Sequence, residues 1–228
     1  MIEPRERLRA YHENLHSRVW RLAIKLRIFE FSTNVGANER DLKAWNEFIG
    51  FFAPIEDCLR TDIIVTLHNL FDERSSERNI IDYLKEVKRY LRGVMGQNTS
   101  DAEIRSLTAE IDAQLGSAEA LKPIIDRVKF SRDRYYAHFQ GKYFDKPEAL
   151  ATDISLPFTD VIKLVDFCKE VLNWHEAKVL DCPVTIWLED SGKERLDLLL
   201  CFVRRYHKLC DEIQKRLGPS VLLEMIKP

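Results

Sequence analysis

Residues 131–145 read SRDRYYAHFQGKYFD, and two arginines, two tyrosines and a histidine fall within the first eight positions. A helix that needed only to be soluble has no use for that set, and one that needed only to pack would avoid most of it. Ile124, Val128, Tyr135 and Phe139 recur at helical spacing and leave the arginines on other faces. The stretch is therefore expected to close a helix that opens at Ser117, or at Pro123 in its regular part, and ends at Gly141.

Working outward, the apolar pattern stays helical almost everywhere. Leu8, Leu15, Leu22 and Phe29 repeat every seven residues, widened by Tyr11, Val19 and Leu26. This first helix is expected to end near Asn34 to Gly36. Trp20, Ile24, Ile28 and Phe31 on its other faces predict a second half buried nearly all round. A second helix is expected over about 39–71 with a break at Pro54, and a charged one over about 79–91. GVMGQNTSD then reads as a loop whose Thr99 or Ser100 caps a helix closed by Gly116. Val161, Leu164, Val165, Cys168 and Leu172 mark another helix, to about Val179. DCPVTIWLEDSG is read as loop or short strand, and a final helical stripe runs from Leu196 to Leu217. No repeat, low-complexity tract or linker interrupts this order. The reading is a single all-α domain over 1–228.

The 228 residues are enough to bury a sizeable core, and 45% hydrophobic with 32% charged residues is ordinary for a globular protein. A formal net charge of -2 favours no particular partner, so any basic surface has to be local. Cys58, Cys168, Cys182, Cys201 and Cys210 are an odd, widely spaced set with no C-x-x-C pair, which argues against a disulfide framework and for a reducing compartment, the cytoplasm. The opening MIEPRERLRAYHENL has no apolar run behind its charges, and nowhere is there an apolar run long enough to span a bilayer. No membrane association is expected.

Several chemistries fall away on spacing. The Gly-Lys pairs at 141 and 192 lack the upstream glycine of a phosphate-binding loop, and WHEAKV has no second histidine at zinc-protease spacing. His12 and His16 stand one turn apart and have the spacing to share a metal. The plainer reading is two solvated histidines beside Arg9 and Glu13, so no metal and no cofactor is expected. His68 and His207 lie on or beside apolar stripes and read as satisfied core residues.

The opening stretch survives this sifting. Arg134 and His138 are one turn apart on a helix face, and Arg132 lies about 9 Å below His138 along the axis, a span a long arginine can cover. A guanidinium grips a phosphate through two hydrogen bonds, while an imidazole moves a proton near neutral pH. RNA cleavage without a metal needs that pair: a base takes the 2′-hydroxyl proton, an arginine stabilises the charge at phosphorus, and an acid protonates the leaving 5′-oxygen. Neighbouring cations Arg132, Arg134 and Lys142 favour the neutral base form of His138. One chain supplies one proton-transfer group, so the chemistry predicts two copies facing each other across a two-fold axis.

Arg132 to His138, with Asp133 directly after the arginine and Ala137 before the histidine, resembles the R-x(4–6)-H motif of the HEPN superfamily of all-α nucleotide-binding and ribonuclease domains. Together with LRTDIIVTLHNLFDE upstream, the RD…AH form is most similar to the AbiU-type HEPN proteins of phage abortive infection. The similarity covers about residues 40–217, and the short motif is its diagnostic part. The resemblance implies an HEPN-like helical bundle with a core over about 40–180 and helical extensions at 1–36 and 190–226. It implies Arg132 and His138 as catalytic and Asp133 as the polar residue that orients them. Arg134, Tyr135 and Tyr136 fall at variable positions, where an arginine can hold a flanking phosphate and a tyrosine can stack on a base. Asp72 is a further candidate for steadying the arginine. HEPN toxins silenced by a nucleotidyltransferase carry a tyrosine two residues after the histidine, where this chain has Gln140, and regulation by that route is not implied.

The expected activity is that of a metal-independent endoribonuclease of a phage-defence or toxin–antitoxin type, acting on RNA as a homodimer, with a cognate antitoxin or regulatory protein as a further expected partner. Three alternatives stand beside it. One is a non-catalytic HEPN-fold module that binds RNA or protein. Another is a regulatory scaffold that uses the basic face of the first helix, Arg5, Arg7, Arg9, Arg18 and Arg21. The last is a salt-bridged helix end in which His138 merely complements the helix dipole.

Overall fold

Leu8, Leu15, Val19 and Leu22 are completely withdrawn from solvent, and Tyr11 and Leu26 nearly so, all on one long helix, α1 (Pro4–Asn34). The seven-residue stripe thus becomes a buried seam, as a 3.6-residue period requires of an amphipathic helix. The computed structural model describes residues 3–34, 39–73, 78–133 and 156–181, with scattered helical positions between 198 and 215. After α1 come α2 (Glu39–Glu47), α3 (Ile49–Phe71), α4 (Ile80–Met95), α5 (Asp101–Ala120), α6 (Lys122–Ser131) and α7 (Phe158–His175). A π-helical turn, Glu176–Leu180, extends α7 and closes on Asp181 in the left-handed conformation, φ 52°. The fold is all-α, with no strand among the described residues.

The chain divides into two compact units. The first comprises residues 1–23 and 60–187, the second residues 24–59 and 188–228. In the first unit α4 packs on α5 and on the π-turn, and α6 packs on α5 and α7. Leu67, Leu70, Tyr83, Leu84, Ile111 and Leu164 are fully buried there. Arg127 on α6 reaches Asp160 on α7 at 2.5 Å and fixes the mutual placement of those helices. In the second unit Trp45 stacks on Phe52 with ring centroids 4.0 Å apart, and Phe31 packs against the pair.

Two helix boundaries differ from the sequence reading, each for a local reason. The break expected at Pro54 lies at Phe48, which joins α2 to α3. Pro54 then sits in the second turn of α3 and forfeits only the bond to the Gly50 carbonyl, a loss that one turn of helix absorbs. Gly116 does not close α5, which runs on to Ala120. A Cβ at Gly116 would meet nothing, and a lone glycine only weakens a helix, whereas Pro123 cannot donate to the preceding turn and so opens α6. Ser100 is the N-cap of α5, accepting from the Glu103 N–H at 3.2 Å. The second half of α1 is less enclosed than expected: Ile24, Ile28 and Phe31 are half-buried and Trp20 is 38% exposed. From Ile24 onward the helix belongs to the second unit. The segment read as loop or short strand lies outside the described residues.

Candidate functional site

The last turn of α3 and the end of α6 converge in the first unit. On α3, His68 follows Leu67 in the apolar stripe and is carried inward with it, to 5% exposure. On α6, Val128 and Ser131 are buried, and the chain then enters a π-type turn at Arg132 and Asp133. The Arg132 side chain ends up 31% exposed, with its guanidinium directed at α3.

Arg132 Nη2 lies 2.7 Å from His68 Nε2. A guanidinium has no acceptor, so the imidazole nitrogen must accept. His68 is therefore neutral at this contact, with its proton on Nδ1, which faces Asn69 Oδ1 at 3.3 Å. Asp72, one turn on, approaches the same Nε2 at 3.9 Å. With that nitrogen unprotonated, the approach is proximity rather than an ion pair. Asp133 Oδ1 stands 3.0 Å from Arg132 Nε. This is close enough for an ion pair but off the N–H direction, and the buried Nε–H makes no hydrogen bond. The guanidinium is thus held through Nη2 by a residue from another helix, with the Asp133 carboxylate close to Nε.

Of the residues singled out in the sequence, Arg132, Asp133 and Asp72 gather here. His138, Arg134, Tyr135 and Tyr136 lie outside the described residues. His68 belongs with the site as well. It is buried, as an apolar-stripe histidine should be, yet its partner is the motif arginine. The available signal was LHNLFDE itself, in which His68 and Asp72 are one helical turn apart at a helix end and Asn69 adjoins the ring.

A second polar group lies inside the same unit, and here the reading of His12 is corrected. His12 is not solvated. α1 turns it inward beside Tyr11 and Leu15, at 4% exposure. Its Nε2–H donates to Glu176 Oε1 at 3.1 Å, leaving Nδ1 to accept from the Tyr83 hydroxyl at 3.1 Å. Burial lowers its pKa, and the hydrogen bond to Glu176 only partly offsets this. His175 donates from Nε2 to Gln114 Oε1 at 2.9 Å, so its Nδ1 is bare and buried without a partner. Burial pushes His175 down to about 3, with the neighbouring His12 adding to the effect. The Tyr11 hydroxyl donates to the Asn79 carbonyl at 2.9 Å and accepts from the Asn79 N–H at 3.0 Å, and burial raises its pKa to about 12. Tyr11 and His12 are thus satisfied by buried partners whereas His175 Nδ1 is not, and no cluster of metal-ligating side chains occurs among the described residues. Nor, among them, is any helix long and apolar enough to cross a membrane.

In this all-α chain Arg132 and Asp133 thus stand at the end of one helix, with His68 of another facing the guanidinium. The AbiU2 HEPN family model matches residues 5–215, and the chain belongs to that family, whose members are HEPN domains of the abortive-infection type. No curated protein and no solved structure matches the chain.

Proposed function

We propose that the protein is a metal-independent endoribonuclease of a phage-defence or toxin–antitoxin type, active as a homodimer. The observation that carries the reading is the anchored Arg132 guanidinium, half-exposed at the end of α6 in a chain of the AbiU2 HEPN family. A guanidinium held at Nη2 and faced by a carboxylate near Nε is already oriented before an anion arrives, so little entropy is lost when it grips a phosphate. His138 follows Arg132 by six residues in sequence, within the R-x(4–6)-H spacing of the family motif.

In this reaction His138 takes the proton from a ribose 2′-hydroxyl, and the 2′-oxygen attacks the adjacent phosphorus. Arg132 stabilises the charge that builds on the phosphoryl oxygens. The bond from phosphorus to the 5′-oxygen breaks, and that oxygen is protonated by His138 of the partner subunit. The products are a 2′,3′-cyclic phosphate and a 5′-hydroxyl. The test is end-group analysis of an RNA cut by the purified chain, beside the same RNA carrying a single 2′-deoxy sugar at the cleaved position. Cyclic-phosphate ends, and loss of cutting at the deoxy position, support the mechanism. Linear 3′-hydroxyl ends or cutting at the deoxy position refute it. Binding without any cutting turns the assignment to a non-catalytic RNA-binding module.

A further inference from the structure

We infer that His68 is the positioning residue for Arg132, setting the plane of the guanidinium through a lone-pair contact at Nε2 that leaves the cation its charge. The inference rests on the ribonuclease reading and adds to it a residue outside the R-x(5)-H motif.

Three observations carry it. First, the contact is short, 2.7 Å, and joins α3 to α6 across 64 residues of sequence. Second, the imidazole cannot turn to another use: Asn69 Oδ1 faces its Nδ1–H and the ring is 5% exposed. A ring so enclosed does not reach an RNA, so its action passes through the arginine. Third, the partner is a neutral acceptor. A carboxylate at Nη2 would neutralise the guanidinium and compete with phosphate, whereas an imidazole lone pair fixes direction without supplying a counter-charge. The acid that does face the group, Asp133, stands at Nε and is half-exposed. This division of labour leaves the Nη edge, which forms the two-pronged grip on phosphate, oriented by a neutral group.

The test is a double-mutant cycle on the full chain, read in RNA cleavage, with His68→Phe to keep a ring without an acceptor and Arg132→Ala to remove the partner. His68→Phe is expected to lower kcat by about 10- to 100-fold, the cost of a misdirected catalytic group. The same change should have no further effect beside Arg132→Ala. His68→Gln, whose amide oxygen can accept from Nη2, should recover part of the rate, and the circular dichroism of each variant confirms its fold. Equal fold-losses for His68→Phe in both backgrounds, which a merely structural role would give, overturn the inference. Imidazole ¹⁵N shifts of the wild-type protein supply a second readout: Nε2 bare and Nδ1 protonated is expected, and a protonated Nε2 overturns it. If the wild-type chain cuts no RNA, the ribonuclease reading fails and the catalytic role of His68 fails with it. The ¹⁵N shifts then show separately whether the pairing exists.

Discussion

His175 offers the sharpest handle on what the buried polar cluster does to stability. Its folded-state pKa is depressed to about 3 by burial, against an ordinary 6.5 in the unfolded chain. The unfolded chain therefore binds the proton first. The stability linked to this group is fully present above pH 6.5 and is lost as pH falls from there toward 3. Between about pH 7.5 and pH 5 the linkage relation gives a loss of about 2 kcal/mol from His175 alone. Carboxylates and His12 also titrate, so the informative quantity is a difference between two proteins. Urea unfolding of wild type and His175→Gln at both pH values supplies it. Glutamine can still donate to Gln114 but takes up no proton, so the variant should lose about 2 kcal/mol less over the interval. An identical loss in the two proteins would refute the buried, neutral His175.

Two further substitutions test the fold around the site. Tyr11→Phe removes a hydroxyl that both donates to and accepts from the Asn79 backbone, and should cost about 1–3 kcal/mol in urea unfolding because the buried Asn79 N–H loses its acceptor, while the carbonyl keeps the Tyr83 N–H. Gly116→Ala lies inside α5 with open space around the new methyl, and should stabilise the protein by about 0.5–1 kcal/mol by the same assay. A destabilised Gly116→Ala protein would mean that α5 ends where the glycine first suggested.

How much of this was legible in the sequence depends on what each residue answers to. The α1 seam was readable because Leu8, Leu15, Val19 and Leu22 are large, apolar and spaced by the helix period, so burial follows from composition alone. Pro54 misled because a proline's effect depends on which hydrogen bond it removes, and that is set by where the helix starts, whereas Gly116 removes none and only weakens the helix it lies in. His12 misled for a different reason. Its neighbours Arg9 and Glu13 are local in sequence, whereas the groups that pair with it, Tyr83 and Glu176, come from 71 and 164 residues away. The site shows the same split. Arg132 and Asp133 were readable as a motif, since one element supplies both. His68 was readable as a buried histidine but not as the partner of Arg132, because only packing of α3 near α6 brings the two together.

The most direct measurement of the central claim is cleavage of a mixed RNA pool by the purified protein in EDTA, with Arg132→Ala and His138→Ala run beside wild type. The account predicts cutting by wild type and cutting slowed by about 100- to 1,000-fold in either variant, with all three folded. Cleavage by folded His138→Ala at the wild-type rate would contradict it.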